Sequence, residues 1–195
     1  MATIAFPAGL VPREFSLEMA VNQRSYASPF GGSEQVVDML NDRWMVSMTL
    51  PNFSTAKAAR IEAFIGAMRG MTNVVNLYHF LRPVPRGTMR GSPTCAAAVA
   101  GAGQVQISTT AGATLLAGDL VGVNGLLLMA QDDAVANGSG VMVLSLVNRL
   151  RKAVSGGMPV TWDRPTASFR LMSSSGVQYS PGFAAGSALD FAEAI

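Results

Sequence analysis

The clearest pattern in the chain is an alternation of apolar and polar side chains over residues 13–21. Apolar residues at every second position share one face of an extended strand; here they are Phe15, Leu17, Met19 and Val21. Residues 43–50 repeat this pattern with Trp44, Val46, Met48 and Leu50, and residues 35–40 predict another strand before them. We expect Asn41 and Asp42 to form the hairpin turn between these last two strands.

A single segment has the period of an α-helix. Ser54 is suited to cap it, and apolar residues then recur three and four positions apart within residues 55–69; they are Ile61, Phe64, Ile65 and Met68. Gly70 follows, as is typical of a helix end. The β-branched and aromatic residues of 74–81 predict the next strand.

The composition changes after residue 90. Residues 91–118 carry no charge, and residues 91–148 contain three acids and no base. Short apolar runs separated by turn residues indicate a small barrel or sandwich; they cover 104–108, 119–123, 126–130 and 141–147. Further strands are expected at 159–162 and 167–172 and in the tail 187–195. We therefore expect a mainly β chain in which residues 1–90 and 165–195 form one domain and residues 91–164 form an inserted one.

The composition also constrains the surface. Of 195 residues, 49% are hydrophobic and 13% are charged, whereas roughly 25% charged residues are usual in a soluble domain. No run of about 20 strongly apolar residues could span a bilayer, and residues 1–7 lack the basic and apolar regions of an export signal. We expect a chain that is made in the cytoplasm and buries surface by assembly, without membrane insertion.

Catalytic and metal-binding chemistry finds little support in the sequence. The chain has one histidine, His79, and one cysteine, Cys95, which cannot supply a zinc site of the usual spacing. His79 lies in a predicted strand with no evident partner to orient it, and no base closer than Arg90 could activate the Cys95 thiol. Asp132 and Asp133 lack the spaced oxygen ligands of a calcium loop. We expect no enzyme, no cofactor and no metal.

The loop 26–33 is the first candidate contact surface. Pro29 and Phe30 stand before two adjacent glycines there, which allow a tight turn with an aromatic residue at its tip. Phe30 can fold back on its own sheet or enter a pocket of a neighbouring subunit as an anchor. We favour the neighbouring subunit because the shortage of charge calls for contact surface.

The second candidate contact surface contains Arg82, Arg86 and Arg90. Interleaved prolines extend this segment and prevent a compact helix. It can be a solvated linker, it can pair with carboxylates of a neighbouring subunit, or, with less support, it can lie near passing DNA. The net charge of +2 does not by itself indicate nucleic-acid binding.

The order of several short strings resembles that in the distal tail proteins of long-tailed (siphovirus-type) bacteriophages. The strings run through nearly the whole chain: Ser28-Pro29-Phe30-Gly31-Gly32, Gln35-Val36, Trp44, Leu50-Pro51, Arg69-Gly70, Gly118-Asp119, residues 137–140, Leu150-Arg151 and residues 165–171. The chain departs from the family at residues 77–83, where a Gly-Asp-Pro-like strand ending is expected.

The resemblance implies both a fold and a function. The fold would be a β-sandwich or split-barrel ring domain with one α-helix, plus an inserted small β-barrel of the OB-like type. Family members form a ring, usually of six copies, that joins the tail tube to the tail-tip hub and leaves a lumen for genome passage. The implied partners are further copies of the chain, the tail tube protein, the tail-tip hub protein and the tape measure protein in the lumen. The implied location is the virion tail, with no specific nucleic-acid sequence as a partner.

Two alternative functions stay open at this point. Another tail-tip hub or tube-terminating protein would differ in ring position and copy number. A carbohydrate- or receptor-binding module on the tail is the other alternative. The scarcity of aromatic residues in the insert argues weakly against sugar stacking, since Trp162 is the only tryptophan beyond Trp44.

Overall fold

A computed structural model describes residues 1–39 and 41–195. Within these residues the fold is mainly β with one helix. The elements before residue 90 are β1 Thr3–Ile4, β2 Glu14–Ala20, β3 Gln23–Ala27, β4 Glu34–Asp38, β5 Arg43–Thr49, α1 Thr55–Met68 and β6 Val74–Leu77. The later elements are β7 Thr94–Cys95, β8 Gln104–Ser108, β9 Thr114–Leu115, β10 Leu120–Val123, β11 Leu126–Met129, β12 Ala134–Val135, β13 Val141–Ser145, β14 Met158–Thr161, β15 Ala167–Ser174, β16 Tyr179–Ser180, β17 Phe183–Ala184 and β18 Ala188–Glu193.

The first sheet is a curled half-barrel. Its strand order is β1-β6-β15-β18-β5-β2, and its neighbours are antiparallel except β1 and β6. The curl brings the start of β2 close to the residues after β6. The rings of Phe15 and Phe80 consequently have centroids only 5.6 Å apart. The alternation predicted for β2 and β5 is confirmed, with the apolar side chains facing the core, except that Val21 lies past the end of β2 and is half exposed.

The second sheet is built from the chain between β6 and β15. Its strand order is β11-β10-β14-β7-β8-β13, and β9 pairs with β12 beside it. The strands of the first sheet therefore lie within the predicted segments 1–90 and 165–195, and those of the second sheet within 91–164. That these segments are separate domains stays a prediction.

Helix α1 packs in the core of the first sheet. Its buried side chains are Ala58, Ile61, Phe64 and Met68, which confirms the predicted stripe, although Ile65 is only half-buried. Ser54 stands at the N-cap position as predicted, but its side chain makes no capping hydrogen bond. The helix ends with Arg69 in the left-handed region at a φ of 50°, so the turn starts one residue before Gly70.

Buried contacts connect the two sheets. Leu120 of β10 and Leu127 of β11 lie in the core of the first sheet together with Trp44 of β5. The indole Nε1 of Trp44 donates a hydrogen bond of 2.9 Å to the carbonyl of Leu127. In addition, Arg151 binds Glu193 at the end of β18. The second sheet is thus anchored on the first by both apolar and ionic contacts.

Two strand predictions are wrong in their details. Asn41 and Asp42 do not join a hairpin, because β4 pairs with β3 while β5 pairs with β2 and β18. The side chains of β4 are almost all exposed and have no core to join, whereas those of β5 match the buried face of β2. The last residue of the predicted strand 35–40 lies outside the described residues.

The predicted strand 74–81 ends early because the chain turns after Leu77, with the Arg82 amide bonded to the His79 carbonyl.

No helix in the described part of the chain is long and apolar enough to cross a bilayer.

Candidate assembly surfaces

Residues 23–38 form a two-stranded arm. β3 and β4 pair in register from Gln23 opposite Asp38 to Ala27 opposite Glu34. The amide of Ser28 donates to the carbonyl of Ser33 at 2.8 Å, which closes the loop that carries Pro29 and Phe30. These two predicted contact residues therefore stand at the tip of a hairpin whose strands continue β2 and β5 past the sheet.

The arm is exposed on both faces. Phe30 is 98% exposed, and Tyr26 and Val36 are each more than half exposed. An isolated two-stranded hairpin is marginally stable in water, since it has no hydrophobic face to bury. Large apolar side chains on such a hairpin indicate a surface that another molecule covers. Of the two possibilities for Phe30, the structure excludes folding back on its own sheet.

Polar contacts fix the base of the arm. The amide of Met39 donates to the carbonyl of Asn22 at 2.9 Å, and the Asn22 amide donates to an Asp42 carboxylate oxygen at 2.8 Å. Arg149 forms an ion pair of 2.9 Å with Asp38, where both side chains are about half exposed. The arm thus leaves the sheet in a set direction although its strands pack against no core.

A groove of about 460 Å³ lies at another edge of the first sheet. It is lined by residues 3–10 and by Asn76, Tyr78 and Phe80. Phe80 forms its aromatic wall, with ring centroids 5.3 Å from Phe6 and 4.7 Å from Tyr78. We call it the N-terminal groove. No local pattern of residues indicates this groove, because its walls come from segments about 70 residues apart.

One cation lies beside this groove. The Arg164 guanidinium carbon lies 5.8 Å from the centroid of the Tyr78 ring, a distance at which a cation is attracted to an aromatic face. Among the described residues Arg164 has no ion-pair partner. The rim of the groove therefore offers an available positive charge.

The arginine segment, residues 82–90, binds its own chain. Arg82 donates through Nη1 to the Gly118 carbonyl at 3.2 Å, and Arg86 donates through Nη2 to the Ala117 carbonyl. Arg90 donates to the carbonyls of Gly87 and Met89. Arg82, Arg86 and Arg90 are still exposed, so part of each side chain faces solvent. The segment is a strap braced by carbonyls of its own chain, and contact of these arginines with a neighbouring subunit stays a prediction.

Asp119 organises this strap, a role that was not predicted from the sequence. Its buried carboxylate accepts hydrogen bonds from the amides of Arg86 at 2.9 Å, Gly87 at 3.0 Å and Leu116 at 2.9 Å. A side chain at Gly87 would not fit, because a Cβ there would lie 2.2 Å from the Thr114 carbonyl oxygen. An isolated acid in a stretch without charge is the signal that could have identified Asp119.

His79 and Cys95 are both buried, and their surroundings disfavour the charged form of each side chain. Burial, and then the nearby Arg82 guanidinium, lower the pKa of His79 to about 4, so the ring is neutral at neutral pH. The ring packs on Phe15 with centroids 4.7 Å apart. Burial raises the pKa of the Cys95 thiol, which disfavours its reactive thiolate. Within the described residues no group of three or more potential metal ligands occurs.

The outer face of the first sheet, opposite its core, carries short polar side chains. Ser47, Asp190 and Ser173 are in register on adjacent strands. Ser47 donates to one Asp190 oxygen at 2.7 Å and Ser173 to the other at 2.6 Å. These bonds, with the one from Ser173 contributing most, hold the pKa of Asp190 below its usual range. The part of the face around Asp190 therefore carries a fixed negative charge.

Comparison of the sequence with models of known protein families gives no match, and neither does comparison with curated proteins.

Proposed function

We propose that the chain is a structural virion protein that forms a ring at the distal end of a phage tail. The ring would join the tail tube to the tail-tip hub and leave a lumen for genome passage. The observation that carries this proposal is the arm, residues 23–38, with Phe30 fully exposed at its tip. Because full burial of such a side chain is worth about 1.5–3 kcal/mol, an arm of this kind is suited to hold a neighbouring subunit.

The strings that carry the resemblance have structural roles, which supports the proposal. Ser28 and Phe30 form the tip of the arm, and Asp119 fixes the arginine segment. Asn137 closes its turn by accepting from the amides of Ser139 and Val141 at 2.9 Å and 3.0 Å. Arg151 forms the buried ion pair that anchors the second sheet. The residues that carry the resemblance therefore hold parts of the fold in place and are not only a matter of surface composition.

The finer fold follows from the same proposal. The first sheet with α1 would be the split-barrel ring domain, residues 1–90 and 165–195. The second sheet would be the inserted OB-like barrel, residues 91–164, carried on the ring through Trp44 and the pair of Arg151 and Glu193. The braced arginine segment would set the angle between the two, because it connects β6 to the insert.

The outer face of the first sheet is suited to line the lumen. Around Asp190 the short polar side chains of Ser47 and Ser173 give this face a polar surface. The negative charge of Asp190 would repel the phosphates of DNA and so prevent the genome from adhering to the wall. The expected partners are six copies of the chain, the tail tube protein, the hub protein and the tape measure protein, and the expected location is the virion tail.

A sugar-binding role for the second sheet has less support. Trp44 is buried, and the Arg90 guanidinium carbon lies 5.0 Å from the centroid of the Trp162 ring. The Trp162 indole also donates to the Gly91 carbonyl at 2.9 Å. Neither tryptophan therefore offers an open ring face, on which sugar stacking depends.

Two variants of Phe30 test the proposed function. Phe30→Asp places a charge in the contact, whereas Phe30→Leu keeps an apolar side chain of similar size. We expect wild type and Phe30→Leu to sediment as one oligomer, and Phe30→Asp to sediment as a monomer with an unchanged circular dichroism spectrum. Normal assembly of Phe30→Asp would show that the tip of the arm does not form the contact between subunits.

A further inference from the structure

The arm and the N-terminal groove lie at opposite ends of β2. Phe15, near the start of β2, packs against Phe80 in the groove wall, while the arm begins after Ala20 at the other end. Five residues of extended strand separate these points by about 17 Å. Phe30 then lies at the tip of a further five-residue strand pair and remains 98% exposed, so it does not occupy the groove of its own chain.

We propose that the tip of the arm of one copy inserts Phe30 into the N-terminal groove of a second copy of the same chain. This inference rests on the proposed ring and names the contact that builds it. A donor at one end of a strand and an acceptor at the other form a head-to-tail interface, and such an interface closes into a ring when the rotation between copies allows it.

The groove fits this occupant in shape and chemistry. Its volume of about 460 Å³ lies in the range of about 300–1,000 Å³ found for sites that hold small organic ligands, so a phenyl ring with its preceding proline can enter. Phe6, Tyr78 and Phe80 line it as a cluster of tilted rings, and a further aromatic ring can join such a cluster in the offset or edge-on contacts that aromatic pairs prefer.

The charges of the two surfaces are complementary. Glu34 lies at the tip end of the arm opposite Ala27, and Arg164 lies beside Tyr78 at the rim of the groove. In the part of the chain that the structure describes, neither charge has an ion-pair partner. Insertion of Phe30 would bring an unpaired acid toward an unpaired base.

Two single-site variants separate the two halves of this contact. Phe30→Asp disables the arm and leaves the groove intact. Ala8→Trp fills the groove from an exposed position in its lining and leaves the arm intact. We expect each variant alone to be monomeric, with association weakened by at least about thirtyfold. A mixture of the two should give a one-to-one dimer and nothing larger, because only one functional arm and one open groove are present. Ala153→Trp, at an exposed alanine outside the groove, is the matched control and should assemble as wild type does.

A disulfide cross-link tests the contact without depending on ring closure. Cys95 is buried and its thiol is unreactive, so cysteines introduced at Gly31→Cys in one copy, which keeps Phe30 and sits at an exposed position beside it, and at Ala8→Cys in another report only on the proposed contact. We expect a covalent dimer of the two variants under mild oxidation, and none when Ser139→Cys, in an exposed turn, replaces Ala8→Cys. Wild-type rings without this cross-link would overturn the inference and leave the proposed function standing. A cross-link in a protein that forms no rings would support the contact and count against the ring.

Discussion

The guanidinium of Arg151 binds both oxygens of the Glu193 carboxylate, and these two side chains are only 9% and 2% exposed. Arg151 also donates to the Asp42 carbonyl at 2.6 Å, and the Trp44 amide donates to Glu193 at 3.0 Å. The pair thus ties the chain before β14 to the end of β18 and to the start of β5. It is the main polar contact that holds the second sheet on the first.

Removing one charge of this pair should cost much of the stability of the fold. Glu193→Gln leaves the Arg151 cation buried without a counter-charge, and such a change typically costs about 3–5 kcal/mol of the free energy of unfolding. Urea unfolding followed by tryptophan fluorescence measures it. Asp38→Asn is the matched control, because it breaks the exposed pair with Arg149, which we expect to be worth less than about 1 kcal/mol. Equal effects of the two variants would contradict the anchoring role of Glu193.

The second prediction concerns the strap that Asp119 holds. Asp119→Ala leaves the amides of Arg86, Gly87 and Leu116 without their acceptor. A buried donor without a partner costs about 1–3 kcal/mol, so we expect a loss of at least about 2 kcal/mol together with rapid tryptic cleavage after Arg86 or Arg90. Asp132→Ala, at an exposed acid in the same sheet region, should change neither the stability nor the cleavage pattern. Protection of the strap in Asp119→Ala would show that other contacts hold it.

The third prediction is a pH dependence that comes from His79. Its pKa is about 4 in the folded chain and about 6.5 when unfolded, so the unfolded chain binds more protons between these values. The contribution of His79 to the free energy of unfolding should therefore be fully present above pH 6.5. It should decrease by up to about 3 kcal/mol as the pH drops toward 4. His79→Gln removes this contribution. The difference between the wild-type and His79→Gln stability curves isolates it from the carboxylates, and parallel curves would rule it out.

The elements that could be predicted from the sequence are those whose pattern of apolar and polar residues lies within one short segment. The alternation in β2 and β5 and the stripe of α1 follow from burial on one face, and both are confirmed. β3 carries no such pattern, because its five residues are all exposed. For the same reason the pairing of β4 with β3 could not be predicted from apolar positions.

The candidate site shows the same division. The exposed aromatic tip could be predicted from Pro29 and Phe30 with their glycines, since a tight turn is a local property. The groove could not, because Phe6 and Phe80 meet only after β1 pairs with β6. The prolines correctly indicated that the arginine segment is not helical. The partners of Arg82 and Arg86 are carbonyls of Gly118 and Ala117, 36 and 31 residues away, which no local pattern identifies.

The ring itself is the central claim, and the symmetry of the purified protein tests it most directly. Negative-stain class averages together with native mass spectrometry give the rotational symmetry and the copy number of the same sample. We predict closed rings of one copy number, six by the family resemblance, with an open lumen. A monodisperse monomer at concentrations of tens of micromolar, or an open filament in place of a closed ring, would contradict the account.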